Sequence, residues 1–159
     1  MVLIQGLISF IGRFFLSLIF ISSGIHQILD WQGTEQILAT ALNDWSGLVI
    51  GVDFLQTIFS YAQSSVSLLL AAAIFCQVIG GLCILLGIQV RFGAFLLIVF
   101  LIPVTVLFHH FWIMQGPEKQ TQMVEFMKNL SILGGLLILL AYGKCKKSQK
   151  SEGSHPKNS

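Results

Sequence analysis

Apolar residues in this chain come in long unbroken runs rather than in alternation. Four runs, at about 10–29, 66–88, 92–110 and 126–142, are long and apolar enough to cross a bilayer. A helix needs about 20 such residues to span the hydrocarbon core. Residues 30–65 follow a different pattern. "TEQILATALNDW" places Ile37, Leu38 and Leu42 at helical spacing, and "VDFLQTIFSYA" does the same with Phe54, Leu55, Ile58 and Phe59. Each stretch is too short to span and too apolar to float in water, which predicts short helices lying along the interface or capping the bundle. The pattern predicts an all-α integral membrane four-helix bundle over residues 1–143, with short interfacial helices in the first outer loop.

Composition excludes a soluble domain. Of the 159 residues, 55% are apolar and 10% are charged, against about 25% charged in soluble domains. A core of this size has no use for that much hydrophobic surface, so the natural solvent is lipid. Arg13 lies inside the first run rather than ahead of it, so that segment reads as a retained membrane helix, not a cleaved signal.

The net charge is only +2, and its placement matters more than its size. Lys144, Lys146, Lys147, Lys150 and Lys157 crowd into the tail, residues 144–159. The tail has no apolar periodicity and is expected to be disordered. Beside a membrane span, such a basic segment marks the cytoplasmic face rather than a nucleic-acid site. Four spans then put both termini in the cytoplasm. The first loop carries Asp30, Glu35, Asp44 and Asp53 with no Lys or Arg, which agrees with an outer position. Trp31, Trp45 and Tyr61 fit an aromatic belt there.

Cysteine usage points to no disulfide framework. Cys76 and Cys83 are two helical turns apart, about 10 Å, too far to bridge. Cys145 sits among the tail lysines.

Ionisable groups inside a span are the default site candidates. His26 and Asp30 share a face at the end of the first span, Thr105 and His109 at the end of the third, and Glu125 and Asn129 at the start of the fourth, with Lys128 adjacent. Gln77 falls near mid-membrane in the second. On the four-span topology all but Gln77 approach the outer boundary. Adjacent residues on a helix point about 100° apart, so His109 is expected to face inward beside Thr105, and His110 to sit at the interface beside Trp112.

Three readings of the cluster compete. Polar side chains near helix ends can hydrogen-bond across the bundle or snorkel to water. They can form a pocket for a polar-headed lipophile such as a quinone, with His26 and His109 on its carbonyls. A metal site from His26, His109 and Asp30 or Glu125 ranks last, since no pair has a diagnostic spacing; no resident metal is expected. Neither a haem-attachment motif nor a nucleotide fingerprint is present, so no covalently bound cofactor is expected. The pairs Gly80–Gly81 and Gly134–Gly135 are expected to let backbones approach closely. Pro103 is expected to kink the third span and free a carbonyl for Thr105 or a neighbour.

The segments "RFFLSLIFISSGIHQI", "QVIGGLCILLGIQVRFGAFLL", "FHHFW" and "FMKNLSILGGLLILLAYG" together resemble the DoxX family, from about Arg13 to Gly143. The resemblance implies a small four-helix protein of the bacterial inner membrane. It further implies a subunit or accessory of a quinone-linked oxidoreductase or redox-protection system, with oxidoreductase subunits as partners. By position it carries the family's arginine to Arg13, its histidine to His109 and its Lys-Asn pair to Lys128 and Asn129. Relatives often have a glutamate where this chain has Gln77, which can hydrogen-bond but cannot relay a proton as a carboxylate does. A small-solute or proton transporter and a membrane anchor for soluble enzymes are the alternatives, and self-association is compatible with any of them. Arg91, at the inner end of the third span, serves topology.

Overall fold

The computed structural model describes residues 2–143; the basic tail and Cys145 lie outside the described residues. The described residues form six helices: α1 (Val2–Leu29), α2 (Trp31–Leu48), α3 (Asp53–Ser64), α4 (Val66–Leu86), α5 (Val90–Phe108) and α6 (Pro117–Tyr142). A single 3₁₀ turn, Phe111–Ile113, separates α5 from α6, and the described residues contain no strand. Helices α1, α4, α5 and α6 are long and apolar enough to cross a membrane. The 21 residues of α4 rise about 32 Å, matching a hydrocarbon core of about 30 Å.

Local chemistry sets the breaks. Asp30 ends α1 and caps α2: its carboxylate accepts the Gly33 N–H at 3.2 Å, and the Thr34 hydroxyl donates to its carbonyl at 2.7 Å. The first of these bonds satisfies a backbone N–H that the new helix would otherwise leave orphaned. Gly87 adopts φ 70° and closes α4, with its N–H on the Ile84 carbonyl and the Ile88 N–H on that of Cys83. Such a left-handed cap suits glycine. Gln89 follows at φ 49°, so the chain reverses in three residues and α5 runs back along α4. Gly116 at φ 72° and Pro117 in the first turn start α6 well before its apolar run, because proline there is already set for a helix. Hydropathy locates the buried length of a helix, not its ends; hence α1 and α6 extend beyond the runs at 10–29 and 126–142.

Packing follows chain order: α1 lies against α4, α4 against α5, and α5 against α6, while α2 packs on α3, α4 and α5. The two glycines of α4 serve different neighbours. A Cβ on Gly80 would stand 3.0 Å from the Gly93 carbonyl oxygen of α5; one on Gly81 would stand 2.7 Å from Ile21 of α1. On α6 the expectation fails. Among the described residues nothing lies within 4 Å of the Gly134 position, and Gly135 meets only a Leu16 methyl at 3.9 Å. Phe20, Ile84, Val90, Ala94, Leu97, Leu101 and Leu136 form the core. Outside it, α1 and α6 expose apolar side chains, among them Leu3, Phe15, Leu130 and Ile138. In a folded chain that surface is covered by lipid.

Candidate functional site

The polar residues singled out by the sequence are placed in separate small networks. Gln77 is fully buried on α4; its Nε2 donates to Gln27 Oε1 of α1 at 2.8 Å, and Gln27 Nε2 donates to Ser23 Oγ at 3.2 Å. His26, one residue from Gln27, is exposed. Asp30 is occupied as the cap of α2. Thr105 is buried, and its hydroxyl donates to the Leu101 carbonyl one turn back, not to the Val99 carbonyl that Pro103 leaves without an N–H. Glu125 and Lys128 pair with each other at 2.5 Å along α6, and Asn129 is half-buried there. Among the described residues no three His, Cys, Asp or Glu side chains lie close enough to hold a metal ion.

Helix α5 ends at Phe108, so the 100° rule does not divide the two histidines. His109 turns to α6, where its Nδ1 donates to Gln122 Oε1 at 2.7 Å. His110 turns to α2: its ring packs edge-on against Trp45, 5.7 Å between centroids, and its Nδ1 donates to the Leu107 carbonyl at 3.1 Å. Trp112 packs instead on Phe111 and Phe126. The two arginines act at the opposite end of the bundle. Arg13 bonds the Ser9 carbonyl and lays its guanidinium against Gly87. Arg91 donates to the Gly143 and Ala141 carbonyls at 2.9 and 3.0 Å, capping α6.

The concave features lie elsewhere. A chamber of about 620 Å³ opens between the α2–α3 pair and the α4–α5 hairpin. Leu38, Leu42 and Trp45 come from α2, Leu55 and Phe59 from α3, Ala72, Ala73 and Cys76 from α4, and Phe100, Pro103 and Leu107 from α5. Among the described residues no charged one lines it. Beside it, a second cleft of about 420 Å³ runs between α2 and the end of α5, with Gln36, Thr40, Asp44 and His110 on its wall. None of the eight polar candidates lines either space.

Trp45 organises the boundary between the two. Its ring stacks flat on Phe59 at 6.2 Å, and its Nε1 donates to the Leu107 carbonyl at 3.0 Å. That carbonyl is in the last turn of α5, where no helical N–H follows to satisfy it. A hydrogen bond from the Ser67 hydroxyl to the Glu35 carboxylate ties α2 to α4 as well. The signal for this wall was present in the spacing of Leu38, Leu42 and Trp45, which share one face of α2, while Gln36, Thr40 and Asp44 share another.

With the geometry in place, comparison with known proteins gives the affiliation. Residues 5–142 match the family model described as HR-like lesion-inducing. The chain belongs to the HR-like lesion-inducing family. The match takes in every helix that walls the chamber and the cleft. The protein is also similar to the inner membrane protein YphA of Escherichia coli (strain K12). The two are 29% identical over 133 residues, which cover 84% of this chain and 81% of YphA. No solved structure matches it. Four candidate spans and that likeness make this family member a multi-pass inner-membrane protein.

Proposed function

We propose that the protein is a cofactor-free membrane subunit or accessory of a quinone-linked oxidoreductase or redox-protection system, as its DoxX resemblance implies. Its part is to hold the lipophile rather than to carry electrons itself. The observation behind this is the chamber. Its volume, about 620 Å³, falls in the range of small-molecule pockets, about 300–1,000 Å³. Its aromatic and aliphatic lining suits a ring with a hydrocarbon substituent. The sequence placed the quinone against His26 and His109; the proposal moves it under α2 and α3. No observation favours transport: Ile84, Leu97 and Leu136, each fully buried, fill the interior of the bundle.

Orientation belongs to the same proposal. Four crossings put both termini on one side, and the basic tail assigns that side to the cytoplasm. The chamber and the cleft then lie toward the outer leaflet.

The test is retention. Protein purified in mild detergent is extracted with organic solvent, and the extract is analysed by mass spectrometry. Wild-type protein is expected to carry close to one quinone per chain. Ala72→Phe and Ala73→Phe, which fill the chamber, are expected to carry none while unfolding at an unchanged temperature. Absence of quinone from the wild type, or its retention in both filled variants, would sink the proposal.

A further inference from the structure

Helix α1 is too long for the bilayer that the rest of the bundle fits. Its 28 residues rise about 42 Å, against a hydrocarbon core of about 30 Å. The surplus lies at the end of the bundle that carries both termini. There the Arg13 guanidinium, bonded to the Ser9 carbonyl, rests on Gly87, where α4 turns into α5. At the same end Arg91 and Val90 meet Gly143, where α6 stops. These helix ends and the two arginines mark one boundary. The start of α1 runs on past it, from Ser9 back to Leu3, by roughly 10 Å. Residues 3–12 are all exposed, and no other described residue comes within 4 Å of the Gly6 or Gly12 position.

The surplus is apolar along one side. Ile4, Ile8, Ile11, Phe15 and Leu18 are exposed and follow one another at intervals of four, three, four and three. Ser22 and Ile25 continue the interval. That is the spacing of a coiled-coil seam. It lies opposite the side of α1 on which Ser17, Phe20 and Gly24 are buried. Gln5 and Ser9 fall toward that buried side, away from the seam. Along the span, lipid can cover the seam of a single chain. Past the boundary lipid can do so only where the bilayer deforms, and such mismatch favours helix association. The chain's own tail offers no cover, since residues 144–159 hold no Val, Ile, Leu, Met, Phe, Tyr or Trp.

The covering element must therefore be a helix that spans beside α1 and overshoots the same boundary with an apolar side of its own. A second copy meets both conditions. Every copy is inserted the same way round, so its α1 runs parallel and overshoots equally. We infer that the seam of α1 is a homodimer interface, with two copies paired parallel and in register about a two-fold axis. Ile4 and Ile8 are then buried against the same positions of the other copy. The chamber is left untouched, because no residue of α1 lines it.

Disulfide trapping of the full-length protein in native membranes tests this, with Cys76, Cys83 and Cys145 replaced by Ala and one new cysteine at a time on α1. In-register pairing brings like positions together, so Ile4→Cys, Ile8→Cys and Phe15→Cys are expected to link two copies. Gln5→Cys and Ser9→Cys are expected to link at most about a tenth as much, since a disulfide needs its Cβ atoms about 4 Å apart. In lipid nanodiscs at low loading, purified wild-type protein is expected to have the mass of two chains. The variant carrying both Ile4→Glu and Ile8→Glu is expected to have that of one, with unchanged helix content. Equal trapping at the seam and at Gln5 and Ser9, or a dimer that survives both glutamates, would overturn the interface. A single-chain mass for the wild type, or trapping of Ile8→Cys to a different polypeptide, would overturn the second copy as the occupant.

Discussion

Gln77 meets Gln27 across the α1–α4 interface at 2.8 Å, and the oxygen of its own amide, fully buried, has no partner among the described residues. One half of a buried amide is thus satisfied by a residue that is itself only half-buried. The asymmetry makes the two glutamines unequal in a way that mutation can read.

Replacing Gln27 strands both polar ends of Gln77 in the apolar interior of the bundle. Replacing Gln77 removes the buried group and leaves Gln27, itself half-buried, still bonded to Ser23. Gln27→Leu is therefore expected to destabilise by about 1–3 kcal/mol, the usual effect of leaving a buried polar group unpaired. Gln77→Leu is expected to stay within about 1 kcal/mol of wild type, the scale of an interhelical hydrogen bond in a membrane. The double variant should recover most of the loss. Equilibrium unfolding in mixed micelles measures all three; a Gln77→Leu protein less stable than Gln27→Leu would contradict the assignment.

The two Gly-Gly pairs have opposite fates. A Cβ on Gly93 would lie 2.7 Å from both the Gly80 carbonyl oxygen and the Cys83 Cβ, so backbones must separate. Gly93→Ala and Gly80→Ala are each expected to destabilise by about 1–3 kcal/mol, as overpacking does. Gly134→Ala meets open space and gains helix propensity, up to about 1 kcal/mol. Thermal unfolding in detergent should move down for the first two and level or up for the third. A loss at Gly134 would instead reveal a neighbour packed against it in the micelle.

Arg91 closes α6 through two carbonyls presented side by side. A lysine cannot reproduce that fork, since its ammonium is a single point of donation. Arg91→Lys is expected to fray the last turn of α6, seen as several-fold faster amide exchange around Leu139–Tyr142, and Arg91→Ala somewhat more. The effect on stability is expected to be small, about 1 kcal/mol, because the site is exposed. Equal protection in all three proteins would show that the cap is not used.

Orientation has a direct readout. A reporter active only in the cytoplasm should work when fused after Lys150 and fail when inserted at Gly51 in the α2–α3 connection. The reverse pattern would place the chamber in the inner leaflet.

The spans were legible because lipid imposes a length, and soluble folds seldom carry unbroken apolar runs of that length. The helices α2 and α3 were legible from the spacing of Ile37, Leu38, Leu42 and of Phe54, Leu55, Ile58, Phe59. The candidate site was not, for a physical reason. In an apolar chain polar residues attract attention, yet here they are spent on fastening: Asp30 caps a helix, Thr105 bonds its own turn, and Glu125 and Lys128 neutralise each other. The chamber is walled by Ala72, Ala73, Phe100 and Leu107, which look like every other membrane residue until the fold places a roof over them. Gln27 was passed over beside His26 because only the rotation of α1 tells which of two neighbours faces α4. His109 and His110 were divided by a helical rule that lapses one residue earlier, at the end of α5.

The order of packing has a consequence for biogenesis. Each span rests on the span that precedes it among α1, α4, α5 and α6, so the bundle can be completed in the sequence in which a ribosome delivers it. No helix waits for a distant partner, and none must be threaded between others already in place. The one interruption is the α2–α3 pair, made before the hairpin it will cover exists. Until α5 arrives, Trp45 has no Leu107 carbonyl to grip. The roof is the first part of the site to be synthesised and the last to be fastened, and the chamber closes only once its floor has entered the membrane.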